Sequence, residues 1–142
     1  MSGLDLDFSR RNPHGHAGHL GIRYVAHGDD WADMAIDHDA RLVADAASGI
    51  FASGPIIALM DSATGLACMA KRGALVGMAT LDLRIDYLRP GPPGRTVFGH
   101  GECYRITRHI AFARGYAHVG DPDDPVAHVA ATFMFLGEKP AA

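Results

Sequence analysis

The stretch SGPIIALMDSATGLACMAKRG, residues 53–73, decides the fold. Gly54-Pro55 opens it, and proline suits the first helical position, where its missing N–H and fixed φ do no harm. Gly73 supplies the stop, and Lys71 and Arg72 precede it as cations placed where the helix dipole favours them. At about 100° per residue, Ile56, Leu59, Met60, Ala63, Leu66, Ala67 and Ala70 fall on one side. The opposite side carries Ile57, Ala58, Gly65, Cys68 and Met69, so neither face is built for water. A helix that is apolar all round is a buried helix. The rest of the chain must therefore wrap it.

Upstream, GIRYVAH (21–27) and WADMAID (31–37) read as short strands, and the Gly28-Asp29-Asp30 link suits a hairpin. Residues 39–48 are polar and alanine-rich, with a weak pattern that accommodates a helical turn or two. Downstream of Gly73, Ala79, Leu81, Leu83, Ile85 and Tyr87 alternate with Thr80, Asp82, Arg84 and Asp86, the two-residue period of a strand. The turn-rich RPGPPG (89–94) ends that strand, and strands follow at 95–106, 109–119 and 126–136, the last two separated by the turn cluster GDPDDP (120–125). About six strands and one long helix, in that order, predict an α+β fold with an antiparallel sheet covering a central helix. One sheet covers one side of such a helix. The small residues around Gly65 need a second surface, so a homodimer is expected.

The length of 142 residues fits a single domain, read here as residues 19–137 between a loose polar arm at 1–18 and a short tail at 138–142. Hydrophobic residues make up 48% and charged residues 20%, the balance of a folded chain. A formal charge of -3 provides no basic field to hold nucleic acid or anionic lipid. No signal-like apolar core opens the chain, and no run of ~18 apolar residues is free of charge, so a cytoplasmic protein without membrane contact is expected. Cys68 and Cys103 lack C-x-x-C spacing and read as small buried hydrophobes. His14, His16 and His19 cluster in the arm without Cys or carboxylate companions, which favours a surface cluster over a metal site. His100, His109, His118 and His128 sit among apolar residues in strands and read as packed or half-exposed. Nucleophile-elbow, zinc-peptidase, Walker and dinucleotide-binding motifs are all absent.

Within residues 55–70 only Asp61 is ionisable. It lies too deep to cap the helix and has poor helix propensity. Burying a lone carboxylate is costly unless partners compensate. Asp61 is therefore either a structural acceptor, bonded to a neighbour such as Thr64, or a general base or nucleophile at the mouth of a dry cleft. Its apolar neighbours favour a substrate with an apolar portion. At the helix start, backbone N–H groups can polarise a carbonyl or hold an oxyanion; Pro55 cannot donate, which leaves those of Ser53 and Gly54, or those just after Pro55, as candidates. Arg89 and Arg108, among six arginines of the strand half, are candidates for a phosphate-bearing ligand.

The runs SGPIIALMDSATGLA (53–67), TLDLRIDYLRP (80–90) and YRITRHIAFARGYAHV (104–119) together resemble the PaaI-type thioesterases of the hotdog-fold superfamily, over roughly residues 45–136. The resemblance implies a hotdog fold, dimers with a continuous sheet that pair into tetramers, two active sites at each dimer interface, and acyl-coenzyme A substrates. It makes Asp61 the catalytic carboxylate, base or nucleophile, acting across the interface, and Thr80 a hydroxyl that helps orient the attacking water. It requires no metal or redox cofactor. Ala52-Ser53-Gly54 stands where the family commonly carries His-Gly-Gly, and Ala46 stands where an Asn is common. The glycine whose N–H polarises the thioester carbonyl corresponds to Ser53, whose backbone suffices for that role. The expected function is hydrolysis of an acyl-CoA thioester to free acid and CoA, with Arg89 and Arg108 on the CoA phosphates. The alternative is a non-catalytic acyl-CoA-binding protein. A hotdog hydratase ranks last, because residues 55–73 hold no histidine.

Overall fold

The computed structural model describes Leu6 and residues 15–137. Most of the expected arm, including His14, and the tail at 138–142 lie outside the described residues. A single helical turn, α1 (His16–His19), leads into β1 (Ile22–His27) and β2 (Trp31–Ile36), which form the expected hairpin. Residues 39–48 hold one short 3₁₀ turn, Ala40–Leu42, whose Asp39 carboxylate accepts from the Arg41 N–H at 2.9 Å. The long helix α2 runs Ser53–Arg72, and β3 (Met78–Tyr87), β4 (Val97–Ile106), β5 (Ile110–His118) and β6 (Ala127–Phe135) follow.

The helix starts earlier than the proline signal places it. Ala52 is the N-cap, so Pro55 is the third helical residue. That position is still harmless, because none of the first four N–H groups has an intrahelical acceptor. At the other end Gly73 adopts φ 75°, a left-handed cap that glycine tolerates best. Ile56, Leu59, Met60, Ala63, Leu66 and Ala67 are buried as the spacing requires, and so are Gly65 and Cys68 on the other side. The helix opens outward at its two ends, through Ser53, Gly54 and Ile57 in the first turns and Lys71 and Arg72 in the last.

The six strands form one antiparallel sheet in the order β1-β2-β4-β5-β6-β3. The strand after the helix therefore crosses to the far edge and pairs with the last strand. The helix packs chiefly on β4, β2 and β5. That contact is close: a Cβ on Gly101 would meet the Ala63 carbonyl oxygen at 2.6 Å, so only glycine fits there. Ala111, Ala113 and Ala117 of β5 are buried beneath the same helix. Leu6 is 1% exposed and belongs to the core, so this point of the expected arm is packed on the domain. Cys68 and Cys103 are free and buried side by side; the Cys103 sulfur and burial together push the Cys68 thiol up.

The outer face of the sheet carries a polar and aromatic row. The His100 Nδ1 and Asp33 Oδ1 lie 2.6 Å apart, with Trp31 stacked on one side of the imidazole and Tyr116 tilted against it. The Asp33 carboxylate raises the His100 pKa, and burial opposes it. Burial lowers that of His118, stacked on Phe98.

Candidate active site

A β-bulge positions the first functional side chain. Regular alternation groups Thr80 with Asp82, Arg84 and Asp86, away from the helix. In the structure Thr80 pairs with Phe133 and Asp82 with Thr132, leaving Leu81 as an extra residue without a partner. Directly opposed residues share a face. Thr80 thus points inward with Leu83 and Ile85, which pair with buried Ala131 and Val129, while Leu81 is 53% exposed. One inserted residue reverses every side chain beyond it.

Turned inward, the Thr80 hydroxyl donates to Asp61 Oδ1 at 2.8 Å. Asp61 is half-buried, and no cation pairs with it among the described residues. The Thr64 hydroxyl donates to the Met60 and Asp61 carbonyl oxygens at 2.6 and 3.3 Å, so it serves the backbone and leaves the carboxylate to Thr80. Asp61, Ser62 and Thr80 line a cavity of about 280 Å³. Its remaining lining is apolar and includes Met34, Gly65, Met69, Met78 and Phe133. Ala17, from the stretch to which the sequence assigns no chemistry, also lines it. No local signal marks Ala17, since its place depends on how α1 packs.

Ser53 and Gly54 are exposed in the first turn of α2. Ala52 offers no side-chain cap, which leaves their N–H groups to an external acceptor. A Cβ on Gly54 would meet nothing within 4 Å. The Tyr87 hydroxyl, from the same inward face of β3 as Thr80, donates to the Ser53 carbonyl at 3.2 Å and ties the helix start to the strand. Burial raises the Tyr87 pKa. Asp61 lies eight residues further along α2, about 12 Å at the helical rise. The carboxylate and these N–H groups of one chain therefore cannot serve the same carbonyl.

Arg89 follows β3 and borders a second cleft, of about 420 Å³, that also includes Ser53 and Tyr87. Its Nη2 donates to the Asp124 carbonyl and carboxylate at 3.0 Å each, while its buried Nε has no partner among the described residues. Arg108 lies elsewhere. It sits in the β4–β5 turn, where its carbonyl accepts from Arg72 Nη1 at 3.5 Å, at the far end of α2. The structure thus brings Asp61 to Thr80 and Arg89 to Ser53, and separates Arg108 from both pairs. Among the described residues no three His, Cys, Asp or Glu side chains converge on a metal site. Helix α2 is long and apolar enough to cross a bilayer, but here it is the core helix.

Comparison with known proteins places this geometry. Residues 49–126, more than half the chain, match the Thioesterase superfamily. The medium/long-chain acyl-CoA thioesterase YigI of Escherichia coli is 29% identical over 128 residues, covering 81% of each chain. A crystal structure of a Pseudomonas aeruginosa protein superposes with a TM-score of 0.78 at 34% identity, covering 85% of this chain and 90% of that one. The PaaI protein of the E. coli phenylacetic acid degradation operon shares the fold, with a TM-score of 0.77 at 17% identity over 92% and 91% of the two chains. With one long helix wrapped by a six-stranded antiparallel sheet and the family match running from before that helix to β6, the chain belongs to the thioesterase superfamily and is a hotdog-fold thioester hydrolase.

Proposed function

We propose that the protein hydrolyses acyl-CoA thioesters to free acid and CoA, at sites built between two copies of the chain. The observation that carries this reading is the Asp61 carboxylate, held by Thr80 in the wall of a mostly apolar cavity. A fatty acyl chain fits such a lining, and a thioester carbonyl at its mouth would lie beside the acid. The YigI relative, a medium/long-chain acyl-CoA thioesterase, supports the substrate class.

Asp61 acts as general base. One proton of a water is donated to the free Oδ2 and the other to the Thr80 oxygen, whose own proton already goes to Oδ1. The water lone pair then attacks the thioester carbon. The N–H groups of Ser53 and Gly54, at the positive end of α2, receive the developing oxyanion. Collapse of the tetrahedral species breaks the C–S bond, and the proton held by Asp61 passes to the leaving thiolate. The separation of about 12 Å along α2 between Asp61 and Ser53 supports a site whose two halves come from different subunits.

The open edge of β3 supports the dimer. It is ten residues long, contains no proline and ends the sheet opposite β1. Pairing two such edges joins two sheets into one and covers exposed edge backbone. The phosphate role narrows to Arg89, since it alone adjoins the helix start. Charge reversal at Arg89 should raise KM.

Thiol release from a panel of acyl-CoA esters tests the whole reading. Asp61→Asn should lose about two decades or more of kcat with the fold retained. Equal turnover by wild type and variant refutes it. Ala46 and Ala52, where relatives commonly carry Asn and His, favour one rival, a protein that binds acyl-CoA without cleaving it. Binding with no thiol released would select that rival.

A further inference from the structure

An oxyanion site at the start of α2 requires N–H groups that hold still, and the local sequence works against that. Ala52 offers no side-chain cap, Ser53 and Gly54 are exposed, and a Cβ on Gly54 would touch nothing within 4 Å. An uncrowded glycine is the most conformationally free residue a turn can contain. The chain is nevertheless tied down on either side. Before the turn the Ala52 N–H donates to the Leu42 carbonyl at 2.9 Å, and after it buried Pro55 fixes its own φ. Between these two points lies the peptide that joins Ser53 to Gly54. The Tyr87 hydroxyl reaches it from outside the helix, donating to the Ser53 carbonyl at 3.2 Å.

The Ser53 carbonyl and the Gly54 N–H belong to one planar trans peptide, so they point in opposite directions and turn together. A donor that holds the carbonyl therefore aims the N–H, outward past the end of α2. It also draws electron density from the peptide nitrogen, which strengthens the N–H as a donor in turn. Tyr87 is well placed to do this, because the sheet fixes its backbone: it pairs with Ala127 of β6, and the next N–H, that of Leu88, donates to the Val126 carbonyl at 2.8 Å.

We propose that Tyr87 is a positioning residue for thioester hydrolysis: through the Ser53 carbonyl it orients and polarises the Gly54 N–H that receives the oxyanion, and it touches no reacting atom itself. The inference rests on the reading of the helix start as the oxyanion site. A neutral hydroxyl-to-carbonyl bond of 3.2 Å is a modest one, so its loss should cost less than the loss of a donor outright.

Tyr87→Phe removes the hydroxyl and keeps the ring. In thiol release from octanoyl-CoA by the full-length protein, kcat should fall about three- to tenfold, with KM little changed and thermal melting within a few degrees of wild type. An unchanged kcat overturns the proposal. So does a loss of about 10²- to 10³-fold, the cost of a missing oxyanion donor, since that would put the hydroxyl on the substrate itself. A second readout is one that a merely structural role would not move. Octanoyl-CoA labelled with carbon-13 at its carbonyl is bound to the slow Asp61→Asn protein, and the infrared C=O stretch is recorded. The helix start should lower that frequency relative to free octanoyl-CoA. Adding Tyr87→Phe should return the band part of the way. Adding it to a protein that also carries Ser53→Pro, in which Gly54 holds the remaining proposed donor, should return the band almost fully. A lowered band that Tyr87→Phe leaves in place removes the role of Tyr87 and spares the oxyanion reading. A band at the free position in the Asp61→Asn protein itself removes that reading, and the inference falls with it.

Discussion

Replacing Ser53 by proline removes a single proposed catalytic donor while sparing the fold. Ser53 is the first residue of α2, where proline is favoured, and Ala52 before it has φ −63° and ψ 156°, the extended conformation that a following proline demands. The Ser53 carbonyl survives the change, so the hydrogen bond from Tyr87 persists. What disappears is one backbone N–H. If it receives the oxyanion, kcat for acyl-CoA hydrolysis should fall by about 10²- to 10³-fold, the usual cost of one such donor. Melting should hold or rise slightly, because proline restricts the unfolded chain. Ser53→Ala keeps the N–H and should stay within a few-fold of wild type, separating backbone from hydroxyl. The assay is thiol release at saturating substrate, paired with thermal melts. Wild-type kcat in a folded Ser53→Pro protein would refute the oxyanion assignment.

Asp61→Asn and Ser53→Pro should each be inactive alone, yet exchange of subunits at equal amounts should restore about a quarter of wild-type activity: half the dimers are mixed, and each has one intact site of two. No recovery after verified exchange would place both groups in one subunit. Thr80→Val removes the hydroxyl 2.8 Å from Asp61 Oδ1. At about 1.5 kcal/mol for a hydrogen bond to a charged group on a partly exposed site, kcat/KM should drop roughly tenfold. The same loss in an Asp61→Asn background would show that Thr80 does not act through the carboxylate. His100 has a pKa raised by Asp33, so its contribution to stability is full below the ordinary value of 6.5 and lost as pH rises through the folded value. His100→Gln should therefore lower Tm more at pH 6 than at pH 9, and an equal loss at both would contradict the ion pair.

Much of the architecture is local. The span 53–72 can only be a core helix, because apolar residues on every side leave no face for water. Asp61 stands out for the same reason, as the lone charge between residues 55 and 70. Strand positions followed from period-two alternation and from the glycine and proline turns between them. The arginines show where local reading stops. Arg89 and Arg108 look equivalent as exposed strand-end cations, but chain reversal sends one to the start of α2 and the other to its end.

What the amino-acid order determined by itself was the helix, its misplaced acid, and the number of strands able to cover it. What tertiary structure alone decided was which groups meet that acid. Thr80 belongs to the polar face by alternation and reaches Asp61 only because Leu81 is looped out against β6. A bulge is set by pairing with a strand some fifty residues later, and no window around Thr80 contains that partner. The edge position of β3 and the separation of Asp61 from Ser53 arise in the same way. They depend on how distant segments register against one another, whereas propensity and periodicity act only between neighbours along the chain.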